Sequence, residues 1–259
     1  MKLASWNVNS LKVRLPQLIG WLALHRPDIV CLQETKLEDD KFPILEIEAA
    51  GYRCAWSGQK TYNGVAILSR AALGDIVAGM PAFPDEQKRV IAASVGHGAD
   101  AVRVVCVYVP NGQALGSEKY EYKLRWLAAC RSWLAQELSR NPRLAVLGDY
   151  NVAPADEDVY DPKAWQGQVL CSAPEREAFR NLLALGLKDS FRLFPQKEKS
   201  FTWWDYRMNG FRRNLGLRID HALLSSELAS RCSACAIDVD PRRAERPSDH
   251  APVMADLAI

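Results

Sequence analysis

A chain of 259 residues, 48% hydrophobic and 25% charged, is long enough to bury a large core, and residues 1–259 read as one domain. No apolar run approaches the roughly 18 residues that a bilayer span needs, and Met1-Lys2-Leu3-Ala4-Ser5 enters a strand pattern at once, so a soluble, cytoplasmic protein with no membrane partner is expected. The net charge of +2 is too mild to demand nucleic acid; the seven cysteines, an odd number with Cys31 and Cys106 inside apolar runs, read as buried thiols, and the lone pair Cys232 and Cys235 as ordinary ones.

In chain order, a strand is predicted near residues 2–7, then a helix over 11–25 with Leu11, Leu15, Leu18, Ile19 and Leu22 at spacings of three and four and Ser10 as N-cap. Strands follow near 28–33, 52–57, 64–69, 90–95 and 102–109. A helix over 118–139 carries Tyr122, Trp126, Leu127, Cys130, Trp133, Leu134 and Leu138 along one side and stops before Pro142. After a strand near 143–148, a third helix over 174–185 opens at Ser172 and Pro174 and closes at Gly186. Strands near 217–224, 234–239 and 252–258 complete the chain. Many strands with few long helices predict a layered α/β arrangement of two packed, mixed sheets.

Four short segments each end an apolar run with oxygen or nitrogen ligands: Ser5-Trp6-Asn7-Val8-Asn9, Leu32-Gln33-Glu34-Thr35, Gly148-Asp149-Tyr150-Asn151 and Ser248-Asp249-His250-Ala251-Pro252. Carboxylates and amides at strand ends suit a hard divalent cation such as Mg²⁺, and a His beside an Asp suits acid/base or charge-stabilising work on a phosphate. Glu34 alone has two readings, a metal ligand or the exposed start of a loop. Asp149 and Asn151 are two apart, so on an extended segment they point the same way, and Gly148 allows close approach of the backbone.

Asp220 is suited to orienting another residue's imidazole; in an extended segment it shares a face with Arg218, opposite Ile219 and His221. Ser200 to Arg207 packs Phe201, Trp203, Trp204 and Tyr206 beside an arginine. Such aromatics are core, or they face a nucleotide or sugar. Arg207, Arg212, Arg213 and Arg218 crowd one stretch, and Arg242, Arg243 and Arg246 another just before Asp249. No G-x-S-x-G elbow, P-loop or G-x-G-x-x-G occurs.

These motifs, together with Gly58-Gln59-Lys60, Tyr62-Asn63-Gly64-Val65-Ala66, Tyr108 with Pro110-Asn111-Gly112, and Gly216 to Asp220, resemble the exonuclease III type of apurinic/apyrimidinic endonucleases, from residue 3 to the C-terminus. That type lies within the wider class that includes DNase I and inositol polyphosphate phosphatases. The resemblance implies a four-layered α/β sandwich and a divalent-metal-dependent DNA repair nuclease acting as a monomer on duplex DNA at abasic sites, nicks and 3′ ends. It implies that Glu34 binds Mg²⁺ or Mn²⁺ with Asn7 and Asp249 in or near its shell, and that Asp149 positions or deprotonates the attacking water. Asn151 and His250 would hold the scissile phosphate, Asp220 would orient His250, and Tyr108 would support the phosphate or leaving group. Trp203, Arg207 and Leu217 match the pocket for a baseless sugar, Asn111 lies near the phosphate, and Tyr62 and Arg212 are further expected substrate contacts.

Two stretches depart from the pattern. Position 113 is Gln, where some relatives carry an Arg that inserts into DNA. Residues 156–171, with Trp165 and Gln166, match nothing firmly; a bulky side chain there would close the abasic pocket and leave 3′-end chemistry intact.

Overall fold

The computed structural model describes residues 1–259 apart from the side chain of Ala99. Its strands are β1 (Lys2–Asn7), β2 (Ile29–Gln33), β3 (Arg53–Ser57), β4 (Val65–Ser69), β5 (Leu73–Ala78), β6 (Val90–Val95), β7 (Val102–Tyr108), β8 (Leu144–Asp149), β9 (Lys188–Asp189), β10 (Trp203–Trp204), β11 (Gly216–Leu217), β12 (Asp220–Leu224), β13 (Cys232–Ile237) and β14 (Val253–Leu257). Its α-helices are α1 (Leu11–His25), α2 (Ile44–Ala49), α3 (Glu118–Arg140), α4 (Pro162–Trp165), α5 (Ala173–Leu183) and α6 (Ser226–Ala229).

Two six-stranded sheets form, in the orders β13-β14-β1-β2-β4-β3 and β5-β6-β7-β8-β12-β9. Each is mixed around one central parallel pair, β1 with β2 and β7 with β8. Parallel neighbours need a long crossover, and α1 and α3 supply it. β2 shows why the sheets stack: Ile29 and Cys31 face the second sheet with Val104, Cys106 and Leu147, while Val30 and Leu32 face the α1 layer with Leu18 and Leu22. On the far side of the second sheet, Trp126, Leu134, Phe179 and Leu182 of α3 and α5 cover Val105, Val107 and Val146. The result is helix, sheet, sheet, helix, as the sequence led us to expect.

Differences between pattern and structure have local causes. β5 escaped the apolar reading because it is a mostly exposed edge strand with an irregular register against β6. The expected strand over 217–224 is broken: Leu217 belongs to the small β10–β11 ribbon and β12 starts at Asp220. β13 begins two residues before the expected 234, at Cys232. Ser172 caps α5 through a reciprocal box with Glu175. Ser10 does not cap α1; its φ is 92° and its side chain makes no capping bond. Instead its N–H donates to Glu34 O at 2.8 Å, and Leu11 N–H to Thr35 O at 3.1 Å, so the helix start is tied to the segment after β2.

Candidate active site

The ligand-bearing segments converge at one end of both sheets because of strand direction. β1, β2, β7 and β8 deliver Asn7, Glu34, Tyr108 and Asp149 at or just beyond their C-terminal ends, and antiparallel β12 places Asp220 opposite Asp149. The approach to β14 brings Asp249 and His250 to the same edge, where His250 bridges Trp203. Gly148 is required in this layer: a Cβ there would lie 1.9 Å from Val107 O.

The buried centre is closely bonded. Asn7 Nδ2 donates to Glu34 Oε1 and to Asp149 Oδ2, each at 2.9 Å. Asn151 Nδ2 donates to Asp149 Oδ2 at 3.2 Å and its N–H to Asp149 Oδ1 at 2.9 Å. The two side chains meet as expected, but through a turn rather than an extended segment, since Asn151 has φ 49°. Glu34 is likewise left-handed, at φ 53°, a conformation rare for a glutamate and found where surrounding bonds hold the chain. Asn111 Nδ2 donates to Asn151 Oδ1 at 3.1 Å.

His250 Nδ1 lies 2.9 Å from Asp220 Oδ2, and its Nε2 is 3.8 Å from Asp149 Oδ2. Burial alone would lower this imidazole, but the charges of Asp220 and Asp149 outweigh it and carry the pKa up to about 10. Burial pushes the Asp149 carboxyl up to about 7, against the lowering pull of His250. Glu34 goes the other way: burial opposes its charge, yet Lys36 Nζ at 2.8 Å and Asn7 bring it below its ordinary value. Burial, with the Glu34 and Asp149 charges, raises the Tyr108 phenol well above its usual range, so it stays a neutral donor.

Glu34, Asp149 and His250 offer ligand atoms within 4.8 Å of one another. The two carboxylates, held by the Asn7 amide that donates to both, offer oxygen donors of the kind a hard cation takes. A protonated His250 offers no lone pair, so the oxygens of this group are the fitting donors.

Other predicted residues sit farther out. Asp249 accepts from Asn9 Nδ2 at 2.8 Å and from Trp203 Nε1 at 2.9 Å, so it reaches the centre only through neighbours. Leu217 is fully buried and packs, with Trp203, against Leu170, Cys171, Trp165 and Val169. Arg207 pairs with Asp205 on an exposed turn, and Arg212 is exposed. Tyr62 is 67% exposed and lines, with Asn63, Gln87, Arg89, Asn111 and Gln113, a groove of about 630 Å³ that touches the centre at Asn111, the partner of Asn151.

The arginine clusters are not uniform. Arg218 is buried, with Nε 2.6 Å from Asp158 and Nη1 2.8 Å from Asp189, and it does not belong to a DNA-facing stretch. Its Nη1 also meets His221 Nδ1 at 2.9 Å, so these two are not on opposite faces; the break before β12 turns Arg218 inward. Arg242 is buried too and donates to Ser248 O beneath the Asp249-His250 turn. Sequence reading assigned no role to Asn9 or Lys36, although Lys36 Nζ bonds Asn9 Oδ1 at 2.6 Å and both brace the acidic centre. The Asn7-x-Asn9 spacing repeats the Asp149-x-Asn151 spacing and was the available signal.

Comparison with known proteins agrees with this geometry. Residues 4–250 match the endonuclease/exonuclease/phosphatase family. The chain is 38% identical to exodeoxyribonuclease III of Haemophilus influenzae, over 99% of this chain and 100% of that protein. Among solved structures it resembles the 3′ phosphatase NExo from Neisseria bound to a product DNA hairpin, with 50% identity, TM-score 0.97 and full coverage of both chains. It also resembles an AP endonuclease from Archaeoglobus fulgidus, with 38% identity, TM-score 0.95 and full coverage of both. With the strand-end carboxylates, the buried Asp220–His250 pair and similarity along the whole chain, the protein belongs to the endonuclease/exonuclease/phosphatase family, in its exodeoxyribonuclease III branch.

Proposed function

We propose that this protein is a Mg²⁺-dependent DNA repair nuclease that hydrolyses phosphodiesters at abasic sites, blocked 3′ termini and 3′ ends of duplex DNA. The observation that carries the reading is the pairing of a buried Asp149, held up to about 7, with an imidazolium at His250, held up to about 10, at the end of both sheets. A carboxyl near neutrality is matched to accepting a proton from water, and a fixed cation beside it is matched to a phosphoryl oxygen. Asp149 takes the base role, positioned by Asn7 and Asn151. His250, oriented by Asp220, holds the scissile phosphate together with Asn151. Tyr108, kept protonated, donates to the phosphate or to the leaving oxygen.

Glu34 would hold Mg²⁺ or Mn²⁺, with Asn7 beside it and Asp249 behind Asn9. A divalent cation there supplies positive charge against the developing charge of the phosphoryl oxygens. The groove at Tyr62, Arg89 and Asn111 gives the duplex a path to the site, and Arg207 and Arg212 offer charge to its backbone. We read the protein as cytoplasmic and monomeric, which fractionation and sedimentation would check. Among the described residues no helix is long and apolar enough to cross a membrane.

A second reading, activity restricted to 3′ ends, is favoured by one feature. Leu217 and Trp203, the expected walls of the sugar pocket, are packed against Trp165, Val169, Leu170 and Cys171 from the divergent 156–171 segment. The deciding experiment compares two matched duplexes with Mg²⁺ and with chelator, one with an internal abasic analogue and one with a 3′-phosphate at a nick. Metal-dependent cutting of both supports the broad activity, and cleaning of the 3′ end alone the restricted one. If both stayed intact although bound, the nuclease reading would fail.

A further inference from the structure

Beneath the site lies a charged residue that none of the roles above uses. Lys123, on α3, is fully buried, and its ammonium has three acceptors: Asn151 O at 2.6 Å, Asn111 O at 3.1 Å and the carboxylate of Glu175. Glu175, also fully buried, accepts in turn from Leu170 N–H at 3.0 Å and from Ser172 N–H at 3.1 Å. Both carbonyls held by Lys123 belong to residues whose side-chain amides enter the site, Asn111 to Asn151 and Asn151 to Asp149. The packing is close, because a Cβ on Gly112 would come within 3.1 Å of Lys123 Cδ and 3.3 Å of Val169 Cγ2.

A buried ion pair is a weak source of net stability compared with well-packed apolar side chains of similar size. An ammonium with three donors does something an apolar side chain does not, since it fixes three separate chain segments around one point. Asn151 sits in a left-handed turn that its neighbours must hold, and its carbonyl is the nearer of the two that Lys123 grips. We infer that Lys123, charge-balanced by Glu175, is a positioning residue for phosphodiester hydrolysis: it holds the Asn111 and Asn151 backbone so that both amides face the scissile phosphate. The pair also ties these residues to the 170–172 stretch that leaves the divergent segment. This rests on the nuclease reading above.

The test is steady-state kinetics on the nicked 3′-phosphate duplex with Mg²⁺, comparing wild type with the paired variant K123M/E175Q, which removes the charge from both partners. Melting temperature and Mn²⁺ affinity are measured alongside. The expected result is a folded variant with kcat at least tenfold lower, while KM for the duplex and Mn²⁺ affinity stay within twofold. A folded variant with kcat within twofold of wild type would overturn the inference. So would a variant whose lost rate is wholly a matter of KM or metal affinity. Should the paired variant not fold, K123R decides: its forked donors keep the charge but change the angle to the two carbonyls. At unchanged melting temperature and KM, a kcat lowered threefold or more supports the inference and an unchanged kcat overturns it. Inactive wild type would instead count against the nuclease reading itself.

Discussion

The strand-end residues and the loop residues beside them are held in opposite ways. Asp149, Asn151, Asp220 and His250 are each 5% exposed or less, and each bonds at least one of the others. Tyr62 stands 67% exposed, the Arg207 side chain is 85% exposed, and the pairing of Arg207 is with its own neighbour Asp205. The centre therefore has one geometry and strongly shifted acidities, whereas the rim has reach and solvent-exposed charge. In the proposed function chemistry belongs to the first and duplex capture to the second, so substitutions in the two regions should fail differently.

The largest effect is expected at the centre. Asp149→Asn keeps the shape and removes the proposed base, so kcat should fall by about a thousandfold or more, roughly 4 kcal/mol of barrier, with duplex binding retained. Gel-shift and turnover assays on one preparation check this, and an equal loss of binding would erase the division between centre and rim. Arg218→Ala tests the arginine that sequence grouped with the rim. Taking Arg218 from buried Asp158 and Asp189, with only Arg192 left on Asp158, should cost about 3–5 kcal/mol in denaturant unfolding. The salt dependence of DNA binding should not change; if stability were unaltered and the salt slope reduced, Arg218 would belong to the rim after all.

Glu34→Gln should weaken Mg²⁺ or Mn²⁺ binding by about ten- to hundredfold, seen as a displaced metal titration of activity, while DNA affinity holds. A metal titration identical to wild type would remove Glu34 from the ligand set. The acidities give a smaller and more directional effect. With Asp149 as the proposed base and His250 as the proposed cation, the rate should rise as pH passes the Asp149 value and fall as it passes that of His250, near 10. A cation beside Asp149 favours its ionised form and moves the acid limb below 7. Asp220→Asn removes the charge that raises His250, so the alkaline limb should move down by roughly one to three units. A limb that stayed in place would mean His250 is not the group titrating there. Smallest of all, Arg212→Ala at the rim should reduce the slope of log affinity against log salt by about 0.9 if it meets one phosphate, with kcat unchanged.

Much of this division was legible in the sequence. The ends of β1, β2 and β8 are announced by apolar runs that stop at Asn7, Glu34 and Asp149, and the order of strand and helix around them follows from periods of two and 3.6. Edge strand β5 was not legible because it buries too little to show a period. The two-residue strands β9, β10 and β11 are too short to have one.

What the sequence by itself determined was local: which segments become strands and helices, and which of them end in an acid, an amide or a histidine, since both depend on neighbours a few positions away. The tertiary structure alone decided what each polar side chain meets. Arg218 finds Asp158 and Lys123 finds Glu175 across 60 and 52 residues, and Asn7 meets Asp149 across 142. Such pairs form only on tertiary packing, Asn7 with Asp149 when the sheets stack and Lys123 with Glu175 when α3 lies beside α5, and burial then decides whether a charge is solvated, as at Arg207, or must be matched, as at Arg218 and His250.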